Sequence, residues 1–220
     1  MSNDRIEKTE RFLKEMFSTS GFFKVNPEAM EYRIEHSYRV AHIGKEIAEA
    51  EGMDPERMAI ACLLHDVGYY LDFKEKDDYT EHGRIGASVA RPFLKTLGYS
   101  DAEVEEVCYG IAIHVDDKAD FEGERTIFAL TIGDADNIDR FDAFRIYDTL
   151  EKAHYWDMHL EEKNDFVDRR LQSLERCKKV NCATDTAERM WQEKLDFQIE
   201  FFTRLKHQLA NSTWWSIHNK

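Results

Sequence analysis

The most informative stretch for the fold runs from Met58 to Gly68 and reads Met-Ala-Ile-Ala-Cys-Leu-Leu-His-Asp-Val-Gly. Asp54-Pro55, just before it, is a helix start, with Asp as the N-cap and Pro at the first helical position. The helix is apolar on all sides and is therefore expected to be buried, with Gly68 as a C-terminal stop. It ends at His65-Asp66. A buried imidazole beside a buried carboxylate is costly unless a partner, most commonly a divalent cation, pairs with them.

Amphipathic helices are predicted on both sides of this segment. Apolar residues recur at helical spacing from Pro27 to about Glu51 and from Tyr79 to about Leu97. Ser100 and Glu103 form a capping box for the next helix, and Asp185 with Glu188 repeats that pattern for the last one. Ten Gly and three Pro leave few residues for tight turns. The sequence therefore predicts one all-α domain over residues 1–220, with a core at about 25–145 and C-terminal helices at about 146–212 packing on it.

Composition and charge exclude several classes of protein. Thirty basic and 44 acidic residues leave a net charge of −14, so a surface that binds duplex nucleic acid is not expected. No apolar run approaches the roughly 18 residues that span a bilayer, and the N-terminus is charged, which predicts a cytoplasmic protein without a membrane partner. The four cysteines include no Cys-x-x-Cys pair, so neither a disulfide framework nor a zinc knuckle is indicated.

The positions of the nine histidines separate into two groups. His36 shares a helical face with Val40 and Ile43, and His114 and Asp136, like His65-Asp66, follow apolar helical runs. Side chains at such helix faces and ends could converge in the interior. The remaining histidines lie on polar faces or in the charged tail and are predicted to be ordinary solvated or structural residues: His42, His154, His159, His207 and His218.

The ordered set of motifs resembles the HD superfamily of metal-dependent phosphohydrolases. The matching stretches are His36-Ser37-Tyr38-Arg39-Val40, Leu63-Leu64-His65-Asp66-Val67-Gly68, Glu81-His82-Gly83-Arg84-Ile85-Gly86-Ala87, Ile111-Ala112-Ile113-His114 and Gly133-Asp134-Ala135-Asp136-Asn137-Ile138-Asp139. The similarity covers about residues 30–145. The tail from Lys163 to Phe202 also looks like the C-terminal helices of a bacterial subgroup of predicted HD hydrolases. The resemblance implies an HD-domain helical bundle with a C-terminal helical extension.

The resemblance also implies a set of metal ligands. One ion would be held by His36, His65, Asp66 and Asp136, and His82 and His114 would complete a second site with Asp66 as the bridge. Imidazole and carboxylate ligands suit one or two divalent ions per chain, with Fe, Mn, Co, Ni, Zn and Mg all possible. A mononuclear alternative keeps His82 and His114 to bind phosphate or to donate a proton to the leaving group.

Further roles follow from the same resemblance. Asp66 and His114 are the candidate catalytic residues, and Asp134 is a hydrogen-bond partner for a ligand imidazole unless it replaces Asp136 as the last ligand. The subgroup usually has an arginine where this chain has Asn137, so a cation near the site is either missing or supplied by Arg140. The candidates for substrate binding are Arg39, Lys118 and Arg140, and Arg84 is a further cation close to a ligand in the sequence.

The expected activity is hydrolysis of a phosphate ester or anhydride by a metal-activated water. A nucleotide or another small phosphorylated metabolite is the expected substrate, and a homo-oligomer is possible. Two alternatives stay open. One is oxygenation by a mixed-valent di-iron centre on the same scaffold, and the other is a non-catalytic metal-binding or ligand-binding module.

Overall fold

The fold is known from a computed structural model that describes residues 4–73 and 76–212, without the side chains of residues 76–78. Helices and turns account for the ordered backbone, and no strand occurs within these described ranges. The prediction of an all-α protein is therefore confirmed. The prediction for His218 falls outside the described residues.

Helical segments follow one another along the described chain. The α-helices are α1 (Asp4–Thr19), α2 (Gly21–Val25), α3 (Pro27–Glu51), α4 (Pro55–Leu64), α5 (His82–Thr96), α6 (Asp101–Ile113), α7 (Ile127–Ile138), α8 (Ala143–Lys152), α9 (Leu160–Arg176) and α10 (Asp185–Ala210). Short 3-10 helices occur at Val67–Tyr70, Lys76–Glu81 and Tyr155–Asp157.

Side-chain caps explain why several helices begin where they do. The Asp54 carboxylate accepts hydrogen bonds from the first free N–H groups of α4, and Ser100 and Glu103 form the predicted capping box of α6. The cap predicted at the last helix is wrong by one residue. Helix α10 begins at Asp185, and the hydroxyl of Thr184 accepts the hydrogen bond from the N–H of Ala187.

Gly68 serves a different purpose from the one predicted. Helix α4 ends at Leu64, and Gly68 lies inside the following 3-10 helix rather than at the end of α4. A Cβ on Gly68 would collide with the backbone carbonyl oxygen of His82 and would lie 3.0 Å from the backbone nitrogen of Gly86. The glycine is therefore needed for the close approach of this turn to α5, not for a left-handed stop.

Helix α4 forms the centre of the core. Every side chain from Met58 to Leu64 is buried, and helices α1, α3, α6 and α7 pack around it. Burial of each large apolar side chain contributes about 1.5–3 kcal/mol, so this helix anchors the elements around it. The first residues after its end, His65 and Asp66, are consequently held inside the protein.

The chain divides into two compact units. One runs to Asp139 and also includes Cys182–Ala187, and the other comprises Arg140–Asn181 and the residues from Glu188 onward. The division leaves the prediction of one domain, with its C-terminal helices packed on the core, as a prediction. Among the described residues, no helix combines the length and the apolar character needed to cross a membrane.

Candidate metal centre

Six side chains from five helical regions meet in the first unit. His36 lies in the middle of α3, His65 caps the end of α4 with Asp66 next to it, and His82 is the first residue of α5. His114 follows the last residue of α6, and Asp136 lies in α7. The structure thus brings together all six residues that the sequence suggested as ligands.

One half of the cluster contains two imidazoles and two carboxylates. The Nε2 atom of His36 lies 3.3 Å from Nε2 of His65 and 3.1 Å from Oδ1 of Asp136. Oδ2 of Asp66 lies 3.5 Å from the same His36 nitrogen and 3.4 Å from Nε2 of His65. His36, His65 and Asp66 are buried, whereas a quarter of the Asp136 side chain is exposed.

The other half contains the remaining two imidazoles. Nε2 of His82 and Nε2 of His114 lie 3.1 Å apart. Oδ1 of Asp66 lies 3.1 Å from the His82 nitrogen and 3.7 Å from the His114 nitrogen. The two oxygens of Asp66 therefore face different pairs of histidines, which is the arrangement of a carboxylate that can bridge two cations.

Three of the histidines are oriented by the same backbone contact. The Nδ1 atoms of His65 and His114 each lie 2.7 Å from the carbonyl oxygen three residues earlier in the chain, and Nδ1 of His82 makes the equivalent contact with Tyr79. A carbonyl can only accept, so each Nδ1 donates and each neutral ring presents the Nε2 lone pair to the cluster. Carbonyls in the last turn of a helix have no partner within the helix, so the ring nitrogens also satisfy these carbonyls.

His36 is oriented by a carboxylate instead. Its Nδ1 donates to Oδ2 of Asp139 at 2.8 Å, and Asp139 also accepts from Nε of Arg39 at 2.9 Å and from a second guanidinium nitrogen at 3.3 Å. A carboxylate behind a ligand imidazole fixes its tautomer and increases its basicity. Asp139 thus has the role that the sequence analysis assigned to Asp134.

Arg33 is the cation in direct contact with the cluster. One of its guanidinium nitrogens contacts Oδ2 of Asp66, and the guanidinium carbon lies 3.9 Å from the centroid of the Tyr69 ring. The Tyr69 ring in turn lies 4.4 Å from the His82 ring, centroid to centroid. A quarter of the Arg33 side chain is exposed, so its charge also reaches the solvent side of the site.

The buried carboxylates remain ionised because of their neighbours. Burial alone would raise the pKa of Asp66, but its contacts with His65, Arg33, His114 and His82 outweigh burial and hold the pKa well below its usual value. Burial likewise opposes ionisation of Asp136, and its contacts with His36 and His65 lower its pKa well below the usual value. Two anionic carboxylates thus face four imidazoles.

The donor set fits divalent cations. Nε2 of His82 and Nε2 of His114 are both acceptors when their rings are neutral, and two acceptors 3.1 Å apart repel each other unless a positive charge lies between them. The six residues form three overlapping groups of three. Within each group, the atoms that could bind a metal lie within 4.8 Å of one another. Imidazole nitrogen and carboxylate oxygen are the ligands of iron, manganese, cobalt, nickel and zinc.

Three of the other predicted site residues make contacts with groups other than the six clustered side chains. Asp134 accepts a hydrogen bond of 2.7 Å from the backbone N–H of Ala183, and burial raises its pKa. Arg39 donates to Asp139, and Lys118 is largely exposed with its ammonium 3.9 Å from Asp116. Arg140 is exposed and is the first residue of the second unit.

Arg84 is paired with carboxylates, and the described histidines outside the motifs are exposed. The guanidinium of Arg84 pairs with Glu81 and Asp116, so much of its charge is neutralised. His42 is exposed on the outer face of α3, in keeping with the prediction. His154, His159 and His207 are exposed as well.

Two residues that contact the cluster escaped the sequence analysis, although helical spacing marks both. Asp139 is three residues after Asp136 and Arg33 is three residues before His36, so each shares a helix face with a ligand. Asp134, two residues before Asp136, points to the opposite side of α7. Arg33 and Asp139 are identified by the helix face on which they lie, not by their order in the motif.

The comparison with protein families agrees with this geometry. Residues 33–140 match the family model of the HD domain, and that range includes the six clustered side chains. The chain is accordingly an HD-domain protein, as the resemblance implied.

Individual relatives resemble this chain either over a short segment or at low sequence identity. An 81-residue segment is 33% identical to ribonuclease Y of Pseudothermotoga lettingae, a match that covers 34% of this chain and 15% of that protein. The fold is similar to the crystal structure, at 1.45 Å resolution, of a predicted HD superfamily hydrolase from an uncultured Thermotogales bacterium. That structure superposes with a TM-score of 0.61 at 22% identity, over 90% of this chain and 91% of the other.

Proposed function

We propose that this chain is a metal-dependent phosphohydrolase that cleaves a phosphate ester or anhydride of a nucleotide or another small phosphorylated metabolite. The observation that carries the proposal is the position of Asp66, whose two oxygens face the His36–His65 pair and the His82–His114 pair. Six candidate ligands, one of which is a carboxylate shared between the two halves, suit two cations. The hydrolase relatives make hydrolysis the favoured use of such a centre.

Two bound divalent ions would supply Lewis acidity, lower the pKa of a water molecule towards about 7 and neutralise phosphate charge. The protein residues prepare the site for this chemistry. Asp66 and Asp136 are held ionised, and the four imidazoles present Nε2 because backbone carbonyls or Asp139 occupy Nδ1. The orientation of His114 supports a ligand role for it rather than proton donation to the leaving group.

Charge supports a small substrate over a polymer. The chain carries a net charge of −14, and the guanidinium groups of Arg33, Arg39 and Arg84 contact carboxylates. A long polyanion would need clustered unpaired lysine and arginine side chains. One small phosphorylated molecule, neutralised by the bound cations and by the exposed side of Arg33, meets the electrostatic requirement.

The test is a hydrolysis assay on protein reconstituted with manganese or, without oxygen, with iron. Release of nitrophenol from nitrophenyl phosphate mono- and diesters, and of phosphate from nucleotides, is measured for the wild type, Asp66→Ala and His42→Ala. We expect turnover in the wild type, none in Asp66→Ala, and wild-type rates in His42→Ala, because His42 is exposed on the outer face of α3.

Two results would contradict the proposal. Full metal occupancy without turnover of any phosphate compound would indicate a metal-binding or ligand-binding module. Oxygen consumption by the iron-loaded protein, without phosphate release, would indicate the di-iron oxygenase.

A further inference from the structure

A pocket in the second unit combines exposed aromatic rings with acidic side chains. It has a volume of about 400 Å³ and is lined by residues from the last turns of α8 and from the 3-10 helix Tyr155–Asp157. That volume is within the range of small-molecule sites. None of its lining residues belongs to the metal centre.

The rings of this pocket are unusually exposed. Trp156 is 89% exposed, more than any other large apolar side chain of the described residues, and Tyr147 is 63% exposed. Large exposed apolar side chains of this kind commonly mark interaction sites. Helix α8 presents Tyr147 from its regular backbone, so at least one of the two rings stands on a rigid element.

The polar groups of the pocket indicate what it binds. Within the described part of the chain, the carboxylates of Glu151 and Asp157 form no ion pair, although both line the pocket. Two unpaired anions favour a cation.

The chain itself shows that these rings accept an ammonium group. The Nζ atom of Lys163 lies 5.7 Å from the centroid of the Tyr155 ring and 5.7 Å from that of Trp156. Both distances are within the cation–π range of about 6 Å. The same ammonium donates to the backbone carbonyl of Trp156 at 3.2 Å, while most of the indole stays exposed.

We propose that this pocket binds a small organic ammonium ion such as choline. Trp156 and Tyr147 provide the ring faces, and Glu151 and Asp157 provide the opposite charge. The occupant is a free small molecule, since the pocket is of small-molecule size.

Calorimetric titration with choline tests the proposal, with 3,3-dimethyl-1-butanol as the neutral ligand of the same shape. We expect choline to bind and the alcohol to bind at least about tenfold more weakly, because only choline carries the charge that the rings and carboxylates recognise. Trp156→Ala and Tyr147→Leu are each expected to weaken choline binding by at least about threefold. The double variant Glu151→Gln with Asp157→Asn is expected to weaken it by the same factor. Phe197→Leu and Glu188→Gln, exposed positions of the same unit outside the pocket, leave it unchanged.

Lys163 provides a variant with the opposite effect. Lys163→Met removes the ammonium that competes for the rings, so choline is expected to bind more tightly, not more weakly. Helix content from circular dichroism confirms that each variant folds, and Tyr147→Leu replaces Trp156→Ala if the latter loses helix.

Three results would overturn the proposal. One is equal affinity for choline and its neutral counterpart, and another is unchanged choline affinity in both ring variants. The third is binding to phosphatidylcholine vesicles without binding of free choline, since that pattern would make the pocket a lipid-headgroup site instead.

Discussion

At the scale of single residues, the hydrogen bond from His36 Nδ1 to Asp139 decides which imidazole nitrogen faces the ligand cluster. Asp139→Asn replaces a carboxylate with an amide that can rotate its N–H₂ group towards the ring. We expect metal affinity to fall by about 10- to 100-fold, with the fold retained. Competition with a chelator of known affinity measures the change.

Asp134→Asn is the matched control for that experiment. Asp134 lies in the same helix but accepts from the N–H of Ala183, and an asparagine oxygen can still accept that hydrogen bond. Metal affinity should therefore stay at its wild-type value. An equal loss in both variants would show that Asp139 has no special role.

The number of ions per chain depends on His82 and His114. Asp66 Oδ1 faces both residues, whereas the other oxygen faces His36 and His65. Elemental analysis under saturating manganese should find close to two metals per chain in the wild type and about one in His82→Ala, because one half of the cluster loses a ligand. One metal in both proteins would instead favour the mononuclear site, with these histidines serving the substrate.

Metal binding should also release a proton from His36. Burial alone would lower the pKa of His36, but hydrogen bonds to Asp136 and Asp139 outweigh it and raise the pKa to about 9. Because the pKa of His36 is higher in the folded than in the unfolded protein, its protonation stabilises the metal-free fold. This stabilisation is fully present below the unfolded pKa near 6.5 and is lost as the pH rises through 9. An entering cation must displace that proton, so metal affinity should increase from about pH 7 to about pH 9 and then level off.

Calorimetry in buffers of different ionisation enthalpy counts the released protons. We expect fewer protons to be released above pH 9 than at pH 7.5, and fewer in Asp139→Asn than in the wild type at pH 7.5. Constant proton release across this pH range would contradict the assignment to His36.

The six clustered candidate ligands show what could be predicted at this scale. Each is recognisable from a motif or from its place after an apolar run, so the pattern predicted their convergence. Arg33 and Asp139 depend on which helix face meets which neighbour. That information comes from packing, although their spacing of three residues from a ligand was visible in the sequence.

At the scale of helices, the turn after α4 holds the two halves of the cluster together. Gly68 packs against the backbone of His82 and Gly86, so the 3-10 helix that follows Asp66 lies directly on the first turn of α5. Gly68→Ala must push these backbones apart. We expect the free energy of unfolding to fall by about 1–3 kcal/mol.

Urea unfolding and metal analysis check this expectation, and Gly133→Ala is the control. A Cβ at Gly133 would lie 3.5 Å from the nearest atom, an ordinary contact, and alanine is favoured over glycine within a helix by about 1 kcal/mol. Gly133→Ala should therefore be neutral or stabilising. Gly68→Ala should also lose the metal that His82 binds, and normal stability with full occupancy would refute the role of this contact.

The helices were easier to predict than their junctions. Asp54 and the Ser100–Glu103 pair act through local hydrogen bonds, so sequence alone identified the starts of α4 and α6. The role of Gly68 and the cap at Thr184 depend on precise backbone positions. Apolar periodicity does not carry that information, and the sequence analysis assigned both incorrectly.

At the scale of the whole molecule, the two compact units raise the question of whether the chain unfolds in one step or two. All six candidate ligands belong to the unit that ends at Asp139, and so does the short segment Cys182–Ala187. Asp134 and Glu51 accept hydrogen bonds from the backbone of that segment, at Ala183 and Thr186. Cations that bind the cluster therefore stabilise the first unit directly.

Differential scanning calorimetry with and without manganese answers the question. At a free metal concentration about 1,000 times the dissociation constant, binding adds about 4 kcal/mol to the stability of the unit that holds it. If the units unfold separately, one transition should move to higher temperature with metal while the other stays in place, and Asp66→Ala should abolish the movement. A single transition that moves as a whole would show instead that the chain unfolds as the one domain predicted from its sequence, with the metal centre stabilising both units.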